Sequence, residues 1–379
     1  MQRIGVLGGM MDPIHSGHIH AALAALNAGL DRVLLAPCLT PAHRPQPQAS
    51  AGHRLEMCRI AAQADARLEA SDIELRDDTC YAADTVRLLR QRYPDAAITW
   101  IMGADKLPSL GHWREAESLF SLCDFFVCPR PGFDASLPVP GARIRVLADA
   151  AVEADSGKAV EALRALRDAD GILPRPIARY IALNGLYQPD YMPALLRYGM
   201  GEKRVRHTLG VRQTAVELAD RHGARMQAAG VAAMLHDIAK PLPLGDMQAL
   251  AARYGLRLPE DIFSDGNLLH GPLAAAIAER ELGVTDAEAL SAIACHTTGR
   301  IGMTVLDKVL FIADAIEPGR SDYPGLTEMR ALAQTDLDAA VLLSMRRTKE
   351  YVLSRGLRFC SRTEDAMQYL TSKRRNEHE

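Results

Sequence analysis

The stretch RIGVLGGMMDPIHSGH, residues 3–18, decides the N-terminal fold. Ile4 to Leu7 is a short apolar run of strand composition and Gly8 and Gly9 break it. From a helix start near Ser16, Ile19, Ala22, Leu23 and Leu26 then recur at helical spacing until Gly29. A strand, a glycine turn and a helix start make an anion site, because glycine lets the backbone approach a phosphate and the helix end offers unpaired amides and a positive dipole. His15 and His18 stand three residues apart across that start and can face the same anion. Alone, two histidines in a proline-bearing turn are ordinarily solvent-facing caps, so the surrounding residues must decide.

Outward from this stretch, Arg32 to Ala36, Ala97 to Met102 and Phe125 to Cys128 are further buried-strand candidates separated by helical periodicity. Strands alternating with helices predict a parallel α/β sheet of Rossmann-like type over residues 1–188. The proline-rich residues 41–50 read as a loop over the ligand, and Gly132 to Asp155, with its strand-like run at 143–147, carries no legible chemistry. Past residues 184–193 the strand signals stop, so the boundary is set near residue 190 and residues 194–370 are predicted to be all helical. Val211, Ala215, Leu218 and Ala219 form one apolar stripe there, and Val305, Val309, Phe311 and Ile312 another. Residues 371–379 read as a charged, frayed tail.

The helical half carries His207, the pair His236-Asp237, His270, His296 and Asp314. His236 and Asp237 follow an apolar run and precede Lys240-Pro241, a helix stop, while Asp314 lies inside the apolar run at 311–316. Burying such an acid is costly unless a cation compensates it. A lone buried histidine is usually a hydrogen-bonded core residue, but four histidines and two aspartates on consecutive helices would each need separate satisfaction. They read as a two-metal hydrolase site: Asp237 bridges, His207, His236 and Asp314 hold one ion, and His270 and His296 hold the other. Imidazole and carboxylate without thiolate favour iron, with manganese second, over structural zinc. Lys240 is placed to neutralise a substrate phosphate.

Composition agrees with two enzymes on one chain. A length of 379 residues fits two cores, and 44 basic against 47 acidic residues give a formal charge of -3, which offers no electrostatic reason for a nucleic-acid partner. The seven cysteines form no CxxC pair and no disulfide framework, and no apolar run approaches membrane-spanning length. The expectation is a cytoplasmic protein without membrane contact, as a monomer or homo-oligomer.

Residues 8–18 resemble the GGxFDPxHxGH signature of the nucleotidyltransferase superfamily. Residues 40–44, 54–58 and 100–106, Trp113 and residues 130–132 extend the likeness to the nicotinate-nucleotide adenylyltransferases. The resemblance implies that ATP, accompanied by magnesium, meets His15 and His18 as catalytic residues. It implies that Asp105 lies near the adenosine and Trp113 stacks on the pyridine of nicotinate mononucleotide. Gly8, Gly9, Gly103, Arg130 and Ser156 complete that nucleotide site. Met11 stands where the family usually has Phe, and residues 80–82 read CYA in place of Ser-Tyr-Thr. Counting back from residues 178–181, the family's late Ser-Ser/Thr-x-x-Arg segment falls on Ala154 to Val160, with Val160 at the arginine position. This departure raises an alternative in which the first domain is a regulatory nucleotide-binding module and only hydrolysis remains.

The C-terminal half is similar to the HD-domain superfamily, and within it to the YqeK-type symmetrical diadenosine tetraphosphate hydrolases. Residues 204–211, 234–240, 269–272, 295–299 and 307–318 carry the likeness. It implies cleavage of diadenosine tetraphosphate to two ADP, with the six residues above as iron ligands and Asp237 and Lys240 as catalytic residues. Other nucleotides remain open as substrates.

Overall fold

The computed structural model describes residues 1–39, 46–76, 81–150, 154–167 and 169–376, so residues 41–45 of the loop at 41–50 and Cys80 lie outside the described residues. The chain divides into two compact units, Met1–Arg164 with Ala169–Tyr180, and Ala165–Asp168 with Ile181–Glu379.

The first unit runs β1 (Arg3–Gly9), α1 (Ser16–Asn27), β2 (Arg32–Pro37), α2 (Ala51–Ala62), β3 (Leu68–Ala70), α3 (Ala82–Arg92), β4 (Ala97–Gly103), α4 (Leu107–Leu110), α5 (Ala116–Leu122), β5 (Asp124–Cys128), β6 (Ile144–Val146), α6 (Ser156–Arg164) and α7 (Arg175–Asn184), whose last turn belongs to the second unit. The six strands form one sheet in the order β3-β2-β1-β4-β5-β6, every pairing parallel. Ile4 sits opposite Arg32 on one side and Ile98 on the other, so β1 is central and its Ile4 and Val6 are fully buried. Gly5 is required by this packing, since a Cβ there would lie 2.6 Å from Leu30 Cδ1 and 2.9 Å from Ile101 Cδ1. The strand order reverses between β1 and β4, and in such sheets ligands bind beyond the carboxyl ends of the strands at that switch. β3, with three residues, is too short to leave a periodic signal, and the run at 143–147 becomes the edge strand β6.

The second unit continues with α8 (Met192–Arg197), α9 (Glu202–His222), α10 (Met226–Leu235), α11 (Leu244–Arg253), α12 (Glu260–Phe263), α13 (Gly266–Arg280), α14 (Ala287–Cys295), α15 (Val305–Ile316), α16 (Leu326–Leu332), α17 (Leu337–Ser354) and α18 (Ser361–Asn376). Val211, Ala215, Leu218 and Ala219 are buried on α9, and every residue of α10 is buried. Three local readings change. Val305 is the first residue of α15, behind a Thr304–Asp307 capping box, and is exposed; Leu306, Val309 and Leu310 carry the buried face. α10 ends at Leu235, before Pro241 can act as its stop, with His236 as its C-cap. Thr371 to Asn376 are the last turns of α18 because Thr363, Ala366 and Leu370 anchor that helix. No helix among the described residues is long and apolar enough to cross a membrane.

Candidate active sites

In the first unit the residues singled out by sequence converge at the carboxyl ends of β1, β4 and β5. Gly8 and Gly9 end β1, Gly103 ends β4, and Arg130 follows β5, which pairs with β4 at Gly103 and Cys128. His15 is the N-cap of α1; its backbone N–H is 3.3 Å from His18 Nδ1, and the two rings lie 3.7 Å apart between centroids. Burial, and then the Arg130 guanidinium, lowers the His15 pKa to about 4, so His15 is neutral near neutrality and can serve as a donor or acceptor rather than a cation. The positive charge comes from Arg130, whose Nε stands 3.3 Å from Asp105 Oδ1; Asp105 also pairs with Lys106. A Cβ on Gly103 would lie 2.6 Å from Arg130 Nε, so glycine is what lets that guanidinium cross the end of β4.

Ser156 Oγ donates to the Pro13 carbonyl at 3.0 Å, which ties the start of α6 to the signature loop. Val160 lies inside α6 and is 6 % exposed, so the position counted as the family's arginine faces the core. Arg164 donates to Gln48 Oε1 at 2.7 Å. Trp113 packs edge-to-face on Trp100 with centroids 6.4 Å apart, and its Nε1 donates to Ser109 Oγ at 3.3 Å.

Sequence reasoning overlooked two residues here. Arg54, 1 % exposed, donates to the carbonyls of Ala49 at 3.1 Å, Met10 at 2.7 Å, Cys38 at 2.5 Å and Leu39 at 3.4 Å, bracing the signature loop against the end of β2. Glu74 is buried beneath Gly8, accepts from Thr85 Oγ1 at 2.9 Å, and is pushed up to about pKa 7 by burial, against the opposing pull of Thr85 and Arg76. Arg54 opens the matching segment 54–58, but nothing local shows that it or Glu74 is buried, because an arginine or glutamate in an amphipathic stretch normally points to water.

In the second unit all six expected ligands meet. His207 comes from α9, His236 and Asp237 from the end of α10, His270 from α13, His296 from the end of α14 and Asp314 from α15. His207 Nε2 stands 3.0 Å from Asp314 Oδ1, and His270 Nε2 stands 3.1 Å from both Asp237 Oδ1 and His296 Nε2. One ligand atom each from His207, His236 and Asp314 fall within 4.8 Å of one another, and so do those of His236, Asp237 and His296. His236 and His296 donate from Nδ1 to the carbonyls of Ala233 at 2.7 Å and Ile293 at 2.8 Å, which fixes the tautomer and aims the Nε2 lone pairs at the cluster. His236 Nε2 is buried with no hydrogen-bond partner among the described residues. A buried, unsatisfied lone pair beside two carboxylates is what a cation would satisfy, so this donor set fits a divalent metal.

The electrostatics agree. Burial, then His236 and His270, lowers His296 to about pKa 3, so it is a neutral donor. Burial would raise Asp237, but His236 and the hydrogen bond from His270 overcome it and hold the carboxylate ionised; His207 and the other neighbours do the same for Asp314. Lys240 Nζ is 3.3 Å from His270 Nδ1 and its pKa is lowered by burial despite Asp237 and Asp314. Three flanking residues were not singled out from sequence: Arg204 on Asp237, Arg320 on Asp314, and Glu317, whose Oε1 accepts from His207 Nδ1 at 3.1 Å. Arg204 stands three residues before His207 and Glu317 three after Asp314, so one helical turn from a ligand was the available signal.

Two family profiles match the chain: cytidylyltransferase-like over residues 6–168 and HD domain over residues 204–319. The Bacillus subtilis symmetrical bis(5'-nucleosyl)-tetraphosphatase is 41% identical over 43% of this chain and 86% of its own. The Bacillus subtilis nicotinate-nucleotide adenylyltransferase is 33% identical over 50% of this chain and 100% of its own. A Mycoplasma pneumoniae protein called a probable nicotinate-nucleotide adenylyltransferase/Ap4A hydrolase is 27% identical over 90% of this chain and 97% of its own. The chain therefore belongs to the nicotinate-nucleotide adenylyltransferase family through its first unit and to the HD-domain symmetrical bis(5'-nucleosyl)-tetraphosphatase family through its second, a fusion of a nucleotidyltransferase with a hydrolase.

Proposed function

We propose that the first unit joins ATP and nicotinate mononucleotide to give deamido-NAD and pyrophosphate, and that the second cleaves diadenosine tetraphosphate to two ADP. The hydrolase reading rests on His236 Nε2, a buried lone pair at the six-residue cluster with no hydrogen-bond partner among the described residues. His207, His236, Asp237, His270, His296 and Asp314 would hold a pair of divalent ions there, with Asp237 as the residue shared between the two, iron first and manganese second, since the donors are imidazole and carboxylate. Bound there, the ions supply the Lewis acidity that makes a water nucleophilic at neutral pH. Lys240, Arg204 and Arg320 line the same cluster and supply positive charge for a polyphosphate.

In the first unit His15 and His18 hold the triphosphate of magnesium-bound ATP at the start of α1, and Arg130 with the amides of the glycine turn stabilises charge as pyrophosphate leaves. Trp113 offers its ring to the pyridine. The buried Val160 favours one rival reading, a nucleotide-binding module without transfer; Arg130 beside His15 answers it, because a guanidinium reaches the site from β5. A cytoplasmic setting is part of the proposal, in keeping with six described cysteines that are all buried.

Pyrophosphate release from ATP plus nicotinate mononucleotide tests the first unit: His18→Ala should abolish it and leave hydrolysis intact. No release from wild type would support the binding-module reading. Elemental analysis with ADP formation tests the second: Asp237→Ala should lose both ions and all cleavage, whereas His270→Ala or His296→Ala should keep one ion. Two ions retained in Asp237→Ala, or AMP and ATP as products, would overturn the assignment.

A further inference from the structure

A cavity of about 310 Å³ lies in the second unit between the segment entering it and one side of α9 and α10. Arg212, Leu209, Gln227, Val231, Met234 and Asp190 are among its lining residues. It is separate from the metal-ligand cluster. Arg212 is five residues beyond His207 and Met234 two before His236, which turns each away from its ligand neighbour by roughly 140–160° around the helix.

Arg212 is half-buried, and its pKa is lowered by burial with no acid acting against that. It has no hydrogen bond or ion pair among the described residues. Four other part-buried arginines of this unit are ion-paired: Arg204 with Asp237, Arg225 with Asp286 and Glu288, Arg300 with Asp307 and Arg374 with Asp336. Desolvating a guanidinium without a partner is unfavourable, and an arginine presents a planar fork suited to carboxylate or phosphate. The backbone makes room for it, since a Cβ on Gly185, at φ +63°, would lie 2.9 Å from Arg212 Nη1. Gln227, 3 % exposed, adds an amide to the wall, and Val231 and Met234 add an apolar surface.

We propose that this cavity binds a compact anion whose carboxylate or phosphate pairs with Arg212 and whose body lies over Val231 and Met234. Asp190 on the same wall disfavours a second negative charge, so the far end of the ligand carries hydrogen-bond donors or none. The volume is at the small end of ligand pockets, which fits a single ring or one nucleotide and not a dinucleotide.

Titration calorimetry of the full chain with nicotinate, a ring carboxylate, and with adenosine 5'-phosphate, a phosphate monoester, separates the two sources of that charge. Wild type should bind at least one of them at about 1 mM or below. Arg212→Met should weaken that binding by roughly tenfold or more while both basal activities stay unchanged. Should Arg212→Met fail to fold, Leu209→Trp, which fills the rim from a position 38% exposed, should give the same loss. Failure of both probes to bind wild type, or wild-type binding in both variants, would overturn the proposal.

Discussion

Arg54→Met tests whether the buried guanidinium is what holds the signature loop. The substitution keeps length and apolar volume but leaves the carbonyls of Ala49 and Cys38 buried without their donor, and removes a third bond to Met10. Each orphaned buried carbonyl costs about 1–3 kcal/mol, and the relief of no longer burying a charge offsets part of that, so the net loss should be about 3 kcal/mol. For a unit of this size that corresponds to a fall in Tm of roughly 6–12 °C. Both tryptophans, Trp100 and Trp113, belong to the first unit, so their fluorescence follows its unfolding without interference from the hydrolase. Adenylyl transfer should fall with the loss of loop geometry while tetraphosphate cleavage is retained. Arg54→Lys should recover part of the stability, since an ammonium can still reach some of the four carbonyls. An unchanged tryptophan transition in Arg54→Met would refute the idea that these bonds matter.

Burial raises the folded pKa of Glu74 to about 7 from the ordinary glutamate value of 4.5, so the folded state holds a proton that the unfolded state has released, and stability should fall as pH rises between those values. Glu74→Gln keeps the acceptor for Thr85, should abolish that fall, and should stabilise the first unit above pH 7 by up to about 3 kcal/mol; urea unfolding followed by tryptophan fluorescence at pH 5 and pH 8 would show it, and equal pH dependence in both proteins would count against it. Glu317→Gln should weaken metal binding by roughly 10–100-fold through the loosened His207 ring without unfolding α15, as read by metal titration of the purified protein; unchanged affinity would mean that Glu317 does not orient the ligand.

The sequence by itself determined the two folds and brought out the candidate residues of both sites. Residues 3–18 dictated β1, the turn and α1 because strand and helix periodicities are local properties of the chain, and the histidines and aspartates of the second unit were legible because few folds bury so many ligating side chains without a use for them. Tertiary structure decided what those residues face. His207 and Glu317 are 110 residues apart in sequence, and nothing local says that one orients the other. The tautomers of His236 and His296 depend on where the carbonyls of Ala233 and Ile293 point at helix ends. Counting along the chain put an arginine position at Val160, but the packing of α6 turns that side chain inward. Arg54 and Glu74 looked like surface charges because burial is a sum over distant neighbours, which no short window of sequence contains.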